Sequence, residues 1–563
     1  MKRLFLLFFL SGCIGFLPLK AQQTISPKYA QILQNRGEVY FKFLFTDRQQ
    51  IQQLGHFISI DNVKSDTVFA YANTRGFARF LQTGLPYVLL TPPSKLLEKQ
   101  QLLPLTFKNS LSWDYYPSYN EYVSLMQSFQ KNYPALCRVV TIGKSVQGRD
   151  LLFAHIGHLD DTLHSVPEFM YTSTMHGDET TGYILMLHLI DYLLSNYGVK
   201  PEVTALIDSV DIWINPLANP DGTYAGGDAS VYGAIRFNAN HVDLNRNYPD
   251  PKDGQHPDGK AWQPETKAFM NFASNHHFVL SSNMHTGSEV ANYPWDTWSV
   301  RSADDAWWKE VCRQYADTVH TYAPAGYFTA LNNGITNGYD WYSISGGRQD
   351  YMNYFQYDRE FTLELSDAKM PDPATMPQFW EDNYRSLLDY IHQVLDGLRG
   401  TVTDSISGKP LKAEIFIINH DIDNSQVYSD SISGLYFRPV YAGIYEFKYT
   451  APGHHSKIVK NVLVVNGKPT VLNVVLASDS TTGIAQQKIS TVLVYPNPAS
   501  DKIYYTGFSK NSMAFIIDLS GKVILSQKVN SGEALNISML PRGIYFLKVV
   551  SGKKMILRKF VKR

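Results

Sequence analysis

Phe169-Met170-Tyr171-Thr172-Ser173-Thr174-Met175-His176-Gly177-Asp178-Glu179, continued by the run from Thr181 to Leu194, sets a strand, a loop and a helix in immediate succession. Phe169-Met170-Tyr171 reads as a strand running into the His176 loop, and Ile184, Leu185, Leu187, Leu189 and Ile190 supply the apolar residues of the helix behind it. The same alternation of strand and helix patterns runs from Tyr115 to about Leu398. It predicts a layered α/β domain with a largely buried sheet.

Two smaller patterns flank this domain. Residues 23–108 carry a strand at Val39–Leu44, a helix around Asp47–His56, two strands within Phe57–Ala72, a helix at about Thr74–Gln82 and a strand at Tyr87–Leu90. That β-α-β-β-α-β order predicts a ferredoxin-like unit, and its place ahead of the central domain suits a removable pro-segment or an accessory domain equally. The folded pattern ends at about residue 92, and a polar, partly basic linker occupies residues 94–112. After residue 399, short β-rich runs are broken by turns at Ser407-Gly408, Ser433-Gly434, Ala442-Gly443 and Pro452-Gly453, which predicts a β-sandwich over 399–477. A polar linker over 478–490 then leads to a second β-rich module over 491–563.

Composition narrows the class. A chain of 563 residues, 44% hydrophobic and 18% charged, is a multidomain globular protein, and zero formal net charge disfavours nucleic acid as a partner. Lys2 and Arg3 precede an apolar run ending near Leu19-Lys20-Ala21, the layout of a signal peptide over residues 1–21. Gly12, Gly15 and Pro18 interrupt that run, so the mature chain is expected to have no transmembrane segment. Leu10-Ser11-Gly12-Cys13 offers a lipidation site as the lesser alternative. Cleavage after Ala21 removes three basic residues and leaves 48 basic against 51 acidic. Cys137 and Cys312, the two cysteines of the mature chain, make no disulfide framework and sit in no metal-like pair.

The chemistry lies in three short stretches: His176-Gly177-Asp178-Glu179, Asp243-Leu244-Asn245-Arg246-Asn247 and Met284-His285-Thr286. His176, Glu179 and His285 offer three ligands to one Zn²⁺ per chain and leave a tetrahedral position open for water, the layout of a catalytic site. Asn245 and Arg246 supply groups suited to gripping a carboxylate. The reading is a metallopeptidase acting at a chain end.

These segments, with Asn219-Pro220-Asp221-Gly222, the run from Arg236 to Asn247, Tyr342 ahead of Ser345-Gly346-Gly347, and Phe361-Thr362-Leu363-Glu364-Leu365, resemble in order the M14 metallocarboxypeptidases, in particular the regulatory D, E and N branch. The resemblance covers about half the chain and implies an α/β fold, an α/β/α layered domain with a mixed sheet. It implies Glu364 as the acid–base that works on the zinc-bound water, Arg236 as the cation facing the developing oxyanion, Asn245 and Arg246 on the substrate's terminal carboxylate, and Tyr342 as a lid. It also implies Asp296 and Gln349 as pocket residues favouring C-terminal Arg or Lys, with Arg348 able to neutralise part of that pocket. Residues 400–476 resemble the transthyretin-like sandwich of the same branch. Tyr495-Pro496-Asn497-Pro498 and the basic end, with seven basic and no acidic groups in the last sixteen residues, resemble the Bacteroidetes type IX secretion sorting domain. That resemblance implies the type IX machinery as partner and a secreted or cell-surface location. The implied substrates are peptide or protein C-termini. The alternatives are cell-wall peptides, acylated amino acids, or a catalytically silent surface binding protein.

Overall fold

A computed structural model describes residues 27–97, 112–157, 159, 164–479, 494–505, 512–530, 533–551 and 554–563. The expected signal peptide and Cys13, most of both linkers, and the first residues of the C-terminal module lie outside these. Among the described residues, those up to Asp479 form one compact unit and those from Val494 a second.

The first unit opens with a helix, Pro27–Arg36, ahead of the predicted pattern. Its polar residues Gln31, Gln34 and Asn35 dilute the apolar spacing that would have announced it. Strand Glu38–Leu44, helix Arg48–Gly55, strands Ser59–Lys64 and Thr67–Asn73, helix Thr74–Leu81 and strand Tyr87–Leu90 then follow as expected. Asp47 and Asn73 cap the two helices by accepting from the Gln50 and Gly76 amides. The four strands pair antiparallel in the spatial order Ser59–Lys64, Thr67–Asn73, Glu38–Leu44, Tyr87–Leu90, a ferredoxin-like sheet over a core of Phe41, Phe43, Phe77 and Phe80. Ser59–Lys64 is thus an edge strand, yet its first four residues are buried. The central domain covers that edge, as an unpaired edge requires.

The central domain is an eight-stranded mixed sheet. Its middle strands are Ser288–Tyr293, Arg359–Ser366, Phe278–His285, Glu168–Ser173 and Asp211–Asn215, in that spatial order. Phe278–His285 is buried at every position, as is usual for a strand packed on both faces. One face carries the helices Thr181–Asn196, Asp305–Tyr322 and Met376–His392 over a large aromatic and aliphatic core. The other carries Pro264–Ser274, with Phe269 and Phe272 against Phe153, Met170 and Trp213. Cys137 and Cys312 are buried free thiols.

Two sheets from Gly397 to Leu476 enclose Leu398, Val402, Ile415, Ile417, Phe447 and Tyr449 as a β-sandwich. It is tied to the central domain by the buried Arg438, which bridges Asp304 at 2.8 Å and Asp421 at 2.5 Å. In the second unit, two further sheets enclose Ile503, Ile516, Leu547, Val549 and Phe560. The basic end is strand here: Lys554–Lys562 pairs along its length with Gly543–Ser551. Among the described residues, no helix is long and apolar enough to cross a membrane.

Candidate metal centre and cleft

Strand ends and the loop behind them converge on one spot. His176 and Glu179 sit on the loop that leaves Glu168–Ser173, and His285 ends the neighbouring parallel strand. One potential ligand atom from each lies within 4.8 Å of the others. His176 Nδ1 is 3.0 Å from Glu179 Oε1, His285 Nδ1 is 2.7 Å from Glu179 Oε2, and the two Nδ1 atoms are 3.0 Å apart. The second nitrogen of each ring is held from behind. His176 Nε2 donates to Asp243 Oδ1 at 3.0 Å, and His285 Nε2 lies 2.7 Å from the Asn283 amide. Two imidazoles presenting Nδ1 and one carboxylate, with Asp243 as the acceptor that fixes the His176 tautomer, fit a Zn²⁺ ion.

Gly177 lets this loop close. A Cβ there would stand 2.2 Å from the Gly222 carbonyl carbon and 2.4 Å from the Thr223 amide nitrogen, so any side chain would push the loop off the Asn219-Pro220-Asp221-Gly222 turn. Burial alone would raise Glu179, but His176, Lys369 and His285 hold it well below the usual carboxylate range. Burial pushes His285 down to about 4, which keeps the ring neutral and able to donate a lone pair.

Glu364 arrives by register: its strand pairs it with His285 on one side and Val290 on the other. Its Oε2 is buried with no hydrogen-bond partner, and burial followed by the Glu179 charge lifts its carboxyl well above the usual value. Arg236 donates from Nη1 to Glu179 at 2.9 Å and from Nε toward Asp243 at 3.3 Å. Asn245 and Arg246 are buried on the short helical turn Leu244–Arg246, and Tyr342 is buried over the same space.

Asp296 and Gln349 meet. Gln349 Nε2 donates to Asp296 Oδ1 at 3.2 Å, and Asp296 lines the cavity that holds the histidines. Arg348 points elsewhere. Its guanidinium pairs with Glu360 at 3.0 Å and reaches Thr172 and Met170, so Asp296 keeps its charge free of it. Burial raises Asp296 to about 6.

Four participants escaped the sequence reading. Asp243 opens the Asp243–Asn247 stretch, and an acidic residue two before Asn245 is a fair candidate for fixing a histidine. Lys369 is fully buried, with Nζ 2.5 Å from Glu179 Oε1 and 2.6 Å from Asp61 Oδ1. Asp61 belongs to the N-terminal edge strand and also meets Arg236 Nη1 at 3.1 Å. Asp178 accepts from Tyr71 at 2.7 Å. No local pattern marks the last three, because the partners are 107 to over 300 residues apart in the chain. The same edge strand also offers Ile60 O to Arg246 Nη2 at 3.1 Å, Ser59 Oγ to Arg236 Nε at 2.7 Å, and the Asn62 amide to Gly287 O at 2.7 Å. About 20 Å³ of free space remains among Asp61, the ligands, Glu364 and Tyr342, too little for an amino-acid residue.

The zinc carboxypeptidase family matches residues 122–386, and the secretion system C-terminal sorting domain matches residues 493–563. Carboxypeptidase M of Mus musculus is 38% identical over 359 residues, covering 61% of this chain and 80% of that protein. The Homo sapiens carboxypeptidase N catalytic chain is 34% identical, covering 67% and 88%. Homo sapiens carboxypeptidase D is 37% identical over 63% of this chain, which spans about a quarter of that longer protein, 26%. In fold, the chain is similar to carboxypeptidase A from Helicoverpa armigera, with a TM-score of 0.50 at 21% identity over 63% of this chain and 98% of that one.

Proposed function

This chain belongs to the zinc carboxypeptidase family, and from that premise we propose that it removes C-terminal arginine or lysine from peptides, in a form held latent by its own N-terminal unit. Its C-terminal module is a type IX secretion sorting domain, and the protein is exported to the cell surface or the medium.

The carrying observation for the chemistry is the unpartnered Glu364 carboxylate beside three convergent ligands. One zinc ion held by His176, Glu179 and His285 would polarise the scissile carbonyl and acidify a bound water. Glu364 would take that water's proton, which its raised affinity for protons favours, and would then pass it to the leaving amine. Arg236 holds fixed positive charge beside the ligands, where negative charge develops on the carbonyl oxygen. The Arg246 guanidinium, now occupied by a carbonyl of the edge strand, is placed to take the substrate's terminal carboxylate with Asn245. A basic side chain would then lie toward Asp296, whose charge Arg348 leaves uncompensated. Carboxypeptidase action is favoured over a silent binding role because every acid, base and ligand is in place.

Latency rests on Asp61. Its carboxylate stands between Arg236 and Lys369, and its strand fills the space a substrate would need. Hydrolysis of matched peptides ending in Arg, Lys, Leu or Glu, with zinc added and then chelated, tests the activity. Release of none of these residues by the chain after cutting between residues 98 and 111 refutes it.

A further inference from the structure

A second cavity lies between the N-terminal unit and the central domain. It encloses about 260 Å³, close to the lower end of the range that holds small ligands, ~300–1,000 Å³. Arg246 borders both this cavity and the one among the zinc ligands. Around it stand four fixed cations, Arg75 and Arg79 of the N-terminal unit and Arg246 and Lys260 of the central domain, against two carboxylates, Asp243 and Asp258. Both carboxylates are already engaged. Asp243 takes His176 on Oδ1, and Arg236 with Ser59 on Oδ2. Asp258 accepts the Lys260 backbone amide at 3.0 Å and the Asn247 side-chain amide at 2.9 Å. Arg246 is occupied by Ile60 O. Among the described residues, the side chains of Arg75, Arg79 and Lys260 make no ion pair and no hydrogen bond.

The fold nonetheless brings these three charges together. Arg75 and Arg79 are four apart on helix Thr74–Leu81, so they share one face, about 5–6 Å apart at Cβ. The Arg79 guanidinium lies over the Phe57 ring, 4.3 Å from its centroid. Gly76 lets the helix settle on the Phe57 backbone, where a Cβ would stand 2.2 Å from the carbonyl oxygen. Asn73, the helix cap, donates to His241 O of the central domain at 2.8 Å and fixes the helix against it. Burial holds the Lys260 ammonium below its usual value, and the Arg75 charge adds to that effect. Like charges at this helical spacing repel, and a third from the other body adds to the cost. An anion among them reverses the sign. A tetrahedral phosphate or sulfate offers three or more acceptor oxygens in different directions, enough for two guanidinium forks and an ammonium.

We propose that this cavity binds a phosphate or sulfate group through Arg75, Arg79 and Lys260, bridging the N-terminal unit to the central domain. A free oxyanion and one carried on a sugar share that chemistry. Because the cations come from both bodies, the bound anion favours the closed form. That consequence rests on the latency proposed above, whereas the binding itself does not.

The test is titration calorimetry and thermal melting of the zinc-loaded full chain with sulfate, glucose 6-phosphate and a sulfated disaccharide, each against potassium chloride of equal ionic strength. Saturable binding and a raised melting temperature, which chloride does not reproduce, are expected. Arg75→Gln, Arg79→Gln and Lys260→Gln should each weaken binding about tenfold or more, and Arg75→Lys should recover part of it. Lys64→Gln removes an exposed charge of the same unit away from the cavity and should change nothing. Arg75 and Arg79 are exposed, so their variants should fold, and melting without ligand checks this. Sulfate binding as tightly as the sugars assigns the free oxyanion, and far tighter binding of a sugar assigns a glycan-borne group. No saturable binding beyond chloride, or binding that all three Gln variants leave unchanged, overturns the proposal. Initial rates on a peptide ending in Arg test the bridge: the anion should slow the intact parent several-fold and leave Arg75→Gln unaffected. A latent chain whose rate the bound anion does not change overturns the bridging. Binding to an intact chain as fast as the cut chain supports the site and overturns the latency instead.

Discussion

Replacing Asp61 by alanine should wake the intact chain. The carboxylate sits between Arg236, 3.1 Å away, and Lys369, 2.6 Å away, with all three side chains almost fully buried. A buried pair broken by deleting one partner ordinarily costs ~3–5 kcal/mol, because the other charge is left alone. Here neither cation is left alone: Arg236 keeps Glu179 and Asp243, and Lys369 keeps Glu179. The loss is therefore closer to that of hydrogen bonds to charged groups, ~1.5–3 kcal/mol. At 1.4 kcal/mol per tenfold, the open fraction should rise by roughly 10- to 150-fold.

The ceiling on that rise is the activity of the chain cut between residues 98 and 111. There the N-terminal unit loses the high effective concentration its tether provides. Initial rates on a peptide ending in Arg, for the intact chain, the cut chain, Asp61→Ala and the exposed-turn control Asp66→Ala, make the comparison. Expected is the order intact ≈ Asp66→Ala < Asp61→Ala ≤ cut. An intact chain as fast as the cut chain refutes the latency argument. An Asp61→Ala chain as slow as the parent, beside a fast cut chain, shows that other contacts hold the cleft shut.

Glu364→Gln should lower kcat by about 10²–10⁴ while zinc content by metal analysis stays at one per chain, since the residue works on water and ligates nothing. Asp243→Ala should weaken zinc about 10- to 100-fold in a chelator competition, because His176 loses the acceptor that sets its tautomer. Arg over Leu preference should shrink as pH falls through about 6. Burial has raised the Asp296 carboxyl to that range, and below it the pocket is neutral, so KM for basic substrates rises while that for leucine does not follow. The groups facing Asp296 electrostatically are Arg246, Asp250, Glu360 and Asp350, and a bound cation draws the midpoint lower. Gly177→Ala should cost several kcal/mol or fail to fold, read by thermal melting, because backbone rather than a movable side chain meets its Cβ at 2.2 Å.

What the sequence discloses and what it conceals divide along one physical line. Features made by neighbours in the chain are legible: the strand–loop–helix around His176, the capped helices of the N-terminal unit, and the turns of the sandwich all carry their signals within ten residues. Glu364 stands between these and the rest, since a strand pattern places it on one face but only the register with His285 places it in the site. Asp61 is concealed altogether. Locally it is one acidic residue in a short strand, and its meaning comes from Lys369, more than 300 residues on, and from the covering of an edge that would otherwise stay unpaired. Arg348 shows the same limit from the other direction. Beside Gln349 in sequence, it invites the idea that it neutralises Asp296, but consecutive residues on a helix point in different directions. Gln349 turns to the cleft and Arg348 to Glu360 on the far side of the turn, so the sequence neighbour is not the spatial one. The unpaired oxygens of Asn292 and Gln349 belong to the same class: an asparagine in a strand carries no mark of which of its atoms will lack a partner. That is decided only when the fold has brought Asp296 to the amide nitrogens of both.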